Sequence, residues 1–110
     1  MVLLGLVDSG ADRTILPKLF AAVLGISDTE LIEDETGGSG VGGRKFPTWS
    51  SVIPVFGQVV LGSGELWGPV FRLNPAFAEV DAFLWGRADF FRRFKITFEE
   101  GPTPEFLIEF

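Results

Sequence analysis

Asp8 is the residue of this 110-residue chain on which chemistry could turn. It closes the apolar pair Leu6-Val7 and is followed at once by Ser9, Gly10 and Ala11. A strand that ends in a carboxylate, with a hydroxyl and a tight small-residue turn behind it, is a poor choice for stability alone. Composition narrows the chemistry it could do. The chain has no His, which excludes His-based triads, His general bases and most zinc sites. It has no Cys, which removes disulfides, thiol nucleophiles and thiolate metal sites. Catalysis would have to come from carboxylates, hydroxyls, Lys, Arg or backbone groups. Taken singly, Asp8 also reads as a turn cap, so its surroundings decide.

Those surroundings are acidic and apolar. Fifteen acidic residues against nine basic ones give a net charge of −6, which argues against a nucleic-acid partner. The apolar content is 46%, and twelve Phe with three Trp exceed what a small core needs, so a subunit interface or a peptide cleft is expected to take up the surplus. No apolar run approaches the length that crosses a bilayer. The start, MVLLGLVD, is short and lacks a basic flank, unlike a signal peptide. The plain reading is a soluble, cytoplasmic protein, although a chain without Cys is compatible with any compartment.

The elements that must position Asp8 are short. Residues 2–7 read as a buried strand ending at Asp8. PKLFAAVL, residues 17–24, reads as one or two helical turns, with Pro17 first and Gly25 just past the end. DTELIEDE, residues 28–35, reads as an acidic, solvated edge around a strand centred on Leu31-Ile32. The glycine-rich residues 37–43 lead into a loosely alternating stretch to Phe56, which Pro47 and Pro54 are expected to keep from being a regular central strand. Gly62-Ser63-Gly64 predicts a hairpin turn between residues 59–61 and 66–73. A strand is expected over residues 82–85. RADFFRRF, residues 87–94, places Phe90, Phe91 and Phe94 on one helical face with Arg92 and Arg93 opposite. Strands follow at residues 96–98 and in the alternating tail EFLIEF. The pattern predicts a single mostly-β domain over residues 1–110 with one short C-terminal helix.

Gly38-Ser39-Gly40-Val41-Gly42-Gly43 matches G-x-G-x-x-G, but a dinucleotide site needs a long helix directly after it. Here RKFPTW follows, and Pro47 excludes such a helix. A flexible linker, or a hairpin tip that lets a ligand backbone approach closely, fits better.

Two segments together carry a family resemblance. Val7-Asp8-Ser9-Gly10-Ala11, continued by Asp12-Arg13-Thr14-Ile15-Leu16-Pro17, resembles the strand-D-[ST]-G-A turn of the retropepsin-like aspartic peptidases. Leu84-Trp85-Gly86-Arg87, followed by a helix and then Ile96-Thr97-Phe98, resembles that family's second signature, apolar-apolar-G-R. The order, with a glycine-rich segment between, fits across most of the chain. Trp85 is bulky where the family favours aliphatic residues, and an acidic insertion separates Asp8 from the glycines.

The resemblance implies a small closed β-barrel-type domain that is one half of a homodimeric endopeptidase acting on polypeptide, with neither cofactor nor metal. Two Asp side chains would share a proton, because like charges that close cannot both ionise. The chain has one D-[ST]-G, so the second Asp8 would come from a twofold partner. Asp8, Ser9 and Gly10 would form the catalytic turn, with the Ser9 hydroxyl bonded across to the partner's turn. Ala11, Asp12, Gly40, Val41, Gly42, Gly43, Ile53 and Trp85 would meet substrate, with Trp49 a further candidate wall, and residues 37–43 would form the closing flap. Asp12 would pair with Arg87 and brace the turn. For Trp85 a place in the core is the stronger expectation. The alternative is a catalytically silent relative, a dimerisation or peptide-binding module, or a β-rich domain with an accidental motif.

Overall fold

Short apolar runs broken by Gly and Pro can build short strands and little else, and strands dominate the molecule. A computed structural model describes residues 5–7, 10–40, 43–99 and 105–109. In chain order the elements are β1 (Leu6–Val7), β2 (Ile15–Pro17), α1 (Phe20–Val23), β3 (Leu31–Glu33), β4 (Gly38–Ser39), β5 (Lys45–Phe46), β6 (Thr48–Ser51), β7 (Val55–Val60), β8 (Leu66–Leu73), β9 (Ala76–Ala78), β10 (Leu84–Trp85), α2 (Phe90–Arg93), β11 (Lys95–Glu99) and β12 (Glu105–Glu109).

Six strands form one sheet in the order β1-β10-β2-β9-β6-β3. The β1/β10 and β2/β9 pairs are parallel, and the others are antiparallel. Three hairpins stand as separate two-stranded sheets, β4–β5, β7–β8 and β11–β12. Among the described residues the large sheet stays open, with β1 and β3 at its edges, rather than closing into a barrel. The centre of the sheet is its driest part. Leu16 of β2 and Phe77 of β9 are 1% and 0% exposed, and Thr14 just before β2 is also fully buried.

Against this sheet packs an aromatic cluster from the second half of the chain. Phe71, Phe90 and Phe94 meet pairwise at ring-centroid distances of 5.0–6.1 Å, mostly edge to face. Trp67 stacks on Phe94 and Trp85 on Phe90, each at 6.0 Å. The helix expected over residues 87–94 is shortened to Phe90–Arg93, with Phe94 as its extended C-cap, and the Phe90 and Phe94 rings are both buried. Phe91, expected on the same face, is half-buried.

Five local outcomes differ from expectation or refine it. Among the described residues there are two short α-helices rather than one; α1 buries Ala21 and is closed by a Schellman motif. In that motif Gly25 has φ +79°, its N–H reaches the Ala22 carbonyl at 3.0 Å, and the Ile26 N–H reaches Ala21 at 2.9 Å. Pro17 ends β2 instead of opening that helix, since parallel pairing with β9 holds it extended and Lys18 N–H carries the ladder on to Ala78. Pro47 and Pro54 bound β6 rather than break it, so Thr48–Ser51 runs regularly between β9 and β3. The turn at residues 62–64 does join β7 to β8, with Gly64 at φ +88°. The strand expected over residues 2–7 is seen at Leu6–Val7, and its first residues lie outside the described ones.

Candidate active site

The two signature segments, far apart in sequence, lie side by side. β1, which leads to Asp8, runs parallel to β10 with Leu6 opposite Leu84 and Val7 opposite Trp85. Beyond the strands the backbones stay in contact. Arg87 N–H donates to the Ala11 carbonyl at 2.9 Å, and Ala88 N–H to the Asp12 carbonyl at 2.8 Å. Gly86 makes this approach possible. A Cβ there would overlap the Arg13 backbone and stand 2.6 Å from Thr14 N. Asp8 and Ser9, the expected catalytic pair, lie outside the described residues, as do Val41 and Gly42. Gly10 is exposed and Ala11 is buried.

A buried polar knot holds this junction. Thr14 Oγ1 donates to Asp89 Oδ1 at 2.5 Å and accepts from Gly86 N–H at 3.1 Å. Asp89 Oδ1 also accepts Phe90 N–H at 2.7 Å, capping α2, and Oδ2 accepts Asn74 N–H at 2.9 Å. Asp89 thereby joins the start of α2 to β2 and to the connection after β8. Each buried side-chain polar atom among the described residues has a partner, as such knots require.

The Asp12–Arg87 ion pair expected from the resemblance is not formed. The backbone bonds here run from Arg87 to Ala11 and from Ala88 to Asp12, and the Asp12 and Arg87 side chains are both exposed. The ion pairs among the described residues are Lys95–Glu109, on the β11–β12 hairpin, and Arg13–Asp34 at 3.2 Å. Partial burial pushes the Asp34 carboxyl upward, but hydrogen bonds from Ser50 and Thr48 and the Arg13 guanidinium outweigh it and hold it below its ordinary value.

The glycine segment forms a hairpin, with Gly38 opposite Phe46 and Ser39 opposite Lys45. Gly40 N–H reaches the Arg44 carbonyl at 2.7 Å. Gly40 and Gly43 are exposed. Gly37 and Gly43 have φ of +62° and +75°, conformations that only glycine adopts cheaply. Of the expected walls, Trp85 is half-buried with one face spent on Phe90, in line with a place in the core. Trp49 carries Lys18 Nζ 3.8 Å above its ring. Ile53 is half-buried in a turn where Ser51 Oγ accepts its N–H at 3.0 Å. The fold thus unites residues 6–7, 10–14 and 84–89, while the hairpin and Ile53 stand apart from that junction.

Thr14, Arg13, Asp34 and Asp89 were not among the expected site residues. Asp89 had a readable signal, an acidic residue directly before an apolar helix. Asp34 sits within an acidic run whose neighbours Glu33 and Glu35 are exposed, so composition gave no reason to single it out. No group of three or more acidic residues is arranged to hold a metal among the described residues, and no helix there is long and apolar enough to cross a membrane. Neither protein-family models nor curated proteins nor solved structures gave a match to this chain.

Proposed function

We propose that the chain is one half of a homodimeric aspartic endopeptidase of the retropepsin-like kind. The carrying observation is the junction of the two signature segments. A strand that delivers a carboxylate lies in register with β10, and Gly86 lets the backbones on either side touch.

In this reading the Asp8 carboxylates of two copies share one proton across the twofold axis. The ionised one takes a proton from water, and the other protonates the carbonyl oxygen as the water oxygen bonds to the carbonyl carbon. Collapse of the tetrahedral intermediate breaks the C–N bond, and the departing nitrogen takes up a proton, giving a carboxylic acid and an amine. Substrate lies extended as an added strand, with the glycine hairpin closing over it and excluding water. Ser9 ties each turn to its partner, and Gly10 offers backbone groups to the substrate. No nucleic acid, metal or cofactor takes part.

The test is cleavage of unstructured peptides by the wild-type chain and by Asp8→Asn. The variant is expected to lose at least about a thousandfold in kcat while remaining dimeric in sedimentation. Cleavage should be fastest in mild acid, where one shared proton is retained. Undiminished turnover in Asp8→Asn, or an active species that sediments as a monomer, overturns the proposal.

A further inference from the structure

One carboxylate fastens the root of the glycine hairpin to the segment that follows Asp8. Asp34 stands just after β3, where the chain leaves the large sheet for β4–β5, and Thr48 opens β6, where it returns. The backbone joins them, with Asp34 N–H on the Thr48 carbonyl at 2.9 Å. The Asp34 side chain closes the root further. Its Oδ2 accepts Thr48 Oγ1 and its Oδ1 accepts Ser50 Oγ, both at 2.7 Å.

Arg13 comes to the same carboxylate from the other side. Its Nη1 donates to Asp34 Oδ2 at 3.2 Å. Its Nη2 donates to Ser50 Oγ at 3.1 Å and to the Pro75 carbonyl at 3.0 Å, and the Asn74 carbonyl is within 3.4 Å. The planar fork therefore spans the hairpin root and the link between β8 and β9, which a lysine could not do. The two side chains are 29% and 24% exposed, so solvent screens the pair only in part.

Beyond this root the hairpin has little to hold it. Its described ladder is two residue pairs long, and the segment between its strands, Gly40-Val41-Gly42-Gly43-Arg44, is rich in glycine. A small rotation at the root becomes a large displacement at the tip, so whatever holds the root sets where the tip stands. Glu33 and Glu35, the sequence neighbours of Asp34, are exposed and have no share in the clasp.

We infer that Asp34 and Arg13 are positioning residues whose clasp sets the stance of the glycine hairpin relative to the segment after Asp8, and so governs capture of an extended peptide. The inference rests on the endopeptidase reading above. It requires that loosening the clasp weaken capture more than turnover.

The experiment measures peptide cleavage and amide hydrogen exchange on the full chain carrying Asp34→Ala, Asp34→Asn or Arg13→Lys. Asp34→Ala is expected to raise KM about tenfold with kcat within about threefold of wild type. Exchange over residues 37–46 should quicken about tenfold. Asp34→Asn keeps one acceptor oxygen and offers an N–H donor to the other hydroxyl, and Arg13→Lys keeps the charge without the fork, so both should fold and move the same readouts less. Wild-type KM and exchange in these two folded variants overturn the inference, and so does a loss confined to kcat. If the wild-type chain shows no Asp8-dependent cleavage, the endopeptidase reading falls and takes the capture role with it. The exchange data then decide by themselves whether the clasp orders the hairpin.

Discussion

The junction at Gly86 and the glycine hairpin are both built around small residues, yet they use them in opposite ways. At the junction, glycine removes a side chain so that two backbones can touch, and the buried Thr14 and Asp89 side chains beside it are fully hydrogen-bonded. In the hairpin, glycine supplies backbone conformations that other residues resist, with open space around Gly43. The first arrangement yields rigidity and the second yields freedom. Under the proposed endopeptidase reading, a site that holds a catalytic turn still while admitting a long substrate would need both. The structure separates them by placing the knot of Thr14 and Asp89 on one side of Arg13 and its clasp to Asp34 on the other.

Substitutions can break this contrast, and the largest effect is expected at the junction. Gly86→Ala drives a methyl group into the Arg13 backbone and should cost about 3–5 kcal/mol in a denaturant titration. Next comes Asp89→Ala, which leaves Thr14 Oγ1 and the Asn74 N–H without their acceptor in a buried place. A loss of about 2–4 kcal/mol is expected by the same measurement, and a loss under about 0.5 kcal/mol would show that the knot is incidental.

A smaller effect, and one that depends on pH, is expected at the clasp. The Asp34 carboxyl is held below its ordinary value of 3.8 in the folded chain, so the unfolded chain binds its proton first as pH falls. Its stabilising contribution is therefore complete above that ordinary value and is lost as pH drops through the folded one. The stability gap between wild type and Asp34→Ala should narrow on acidification below about pH 4, and a gap that widened there would reverse the assignment. Last is Gly43→Ala. With φ at +75° and nothing within 4 Å, it should cost only about 1 kcal/mol, all of it backbone strain. If it cost as much as Gly86→Ala, the two kinds of glycine would not differ as described.

Much of the fold was legible wherever a local rule sufficed. Gly25 closed α1, Gly62-Ser63-Gly64 turned β7 into β8, and the spacing of Phe90 and Phe94 marked α2. β9 was not legible. Ala76-Phe77-Ala78 has no alternation and little β-propensity, and it becomes a strand because β2 and β6 enclose it on both sides. Pro17 was misplaced for the same reason, since a parallel partner distant in sequence overrode a good helix start. At the site, both motifs could be read from residue types, and their contact is what the structure adds. The expected Asp12–Arg87 pair is not formed, and both side chains stay exposed. Asp34 was hidden because an acidic run looks alike along its length, and only Thr48, Ser50 and Arg13, each distant in sequence, distinguish one member of it.

The knot between Thr14 and Asp89 bridges a sequence separation of 75 residues, and the first strand finds its parallel neighbour only at Leu84–Trp85. A ribosome therefore releases the opening motif long before the element that braces it exists. Until residue 89 has cleared the exit tunnel, the N-terminal segment has no mate to fold upon, and contacts this non-local form late and together. Such ordering delays assembly of the junction until residues 84–89 have emerged, a postponement that, under the proposed endopeptidase reading, would keep the site unformed while those residues are still being made.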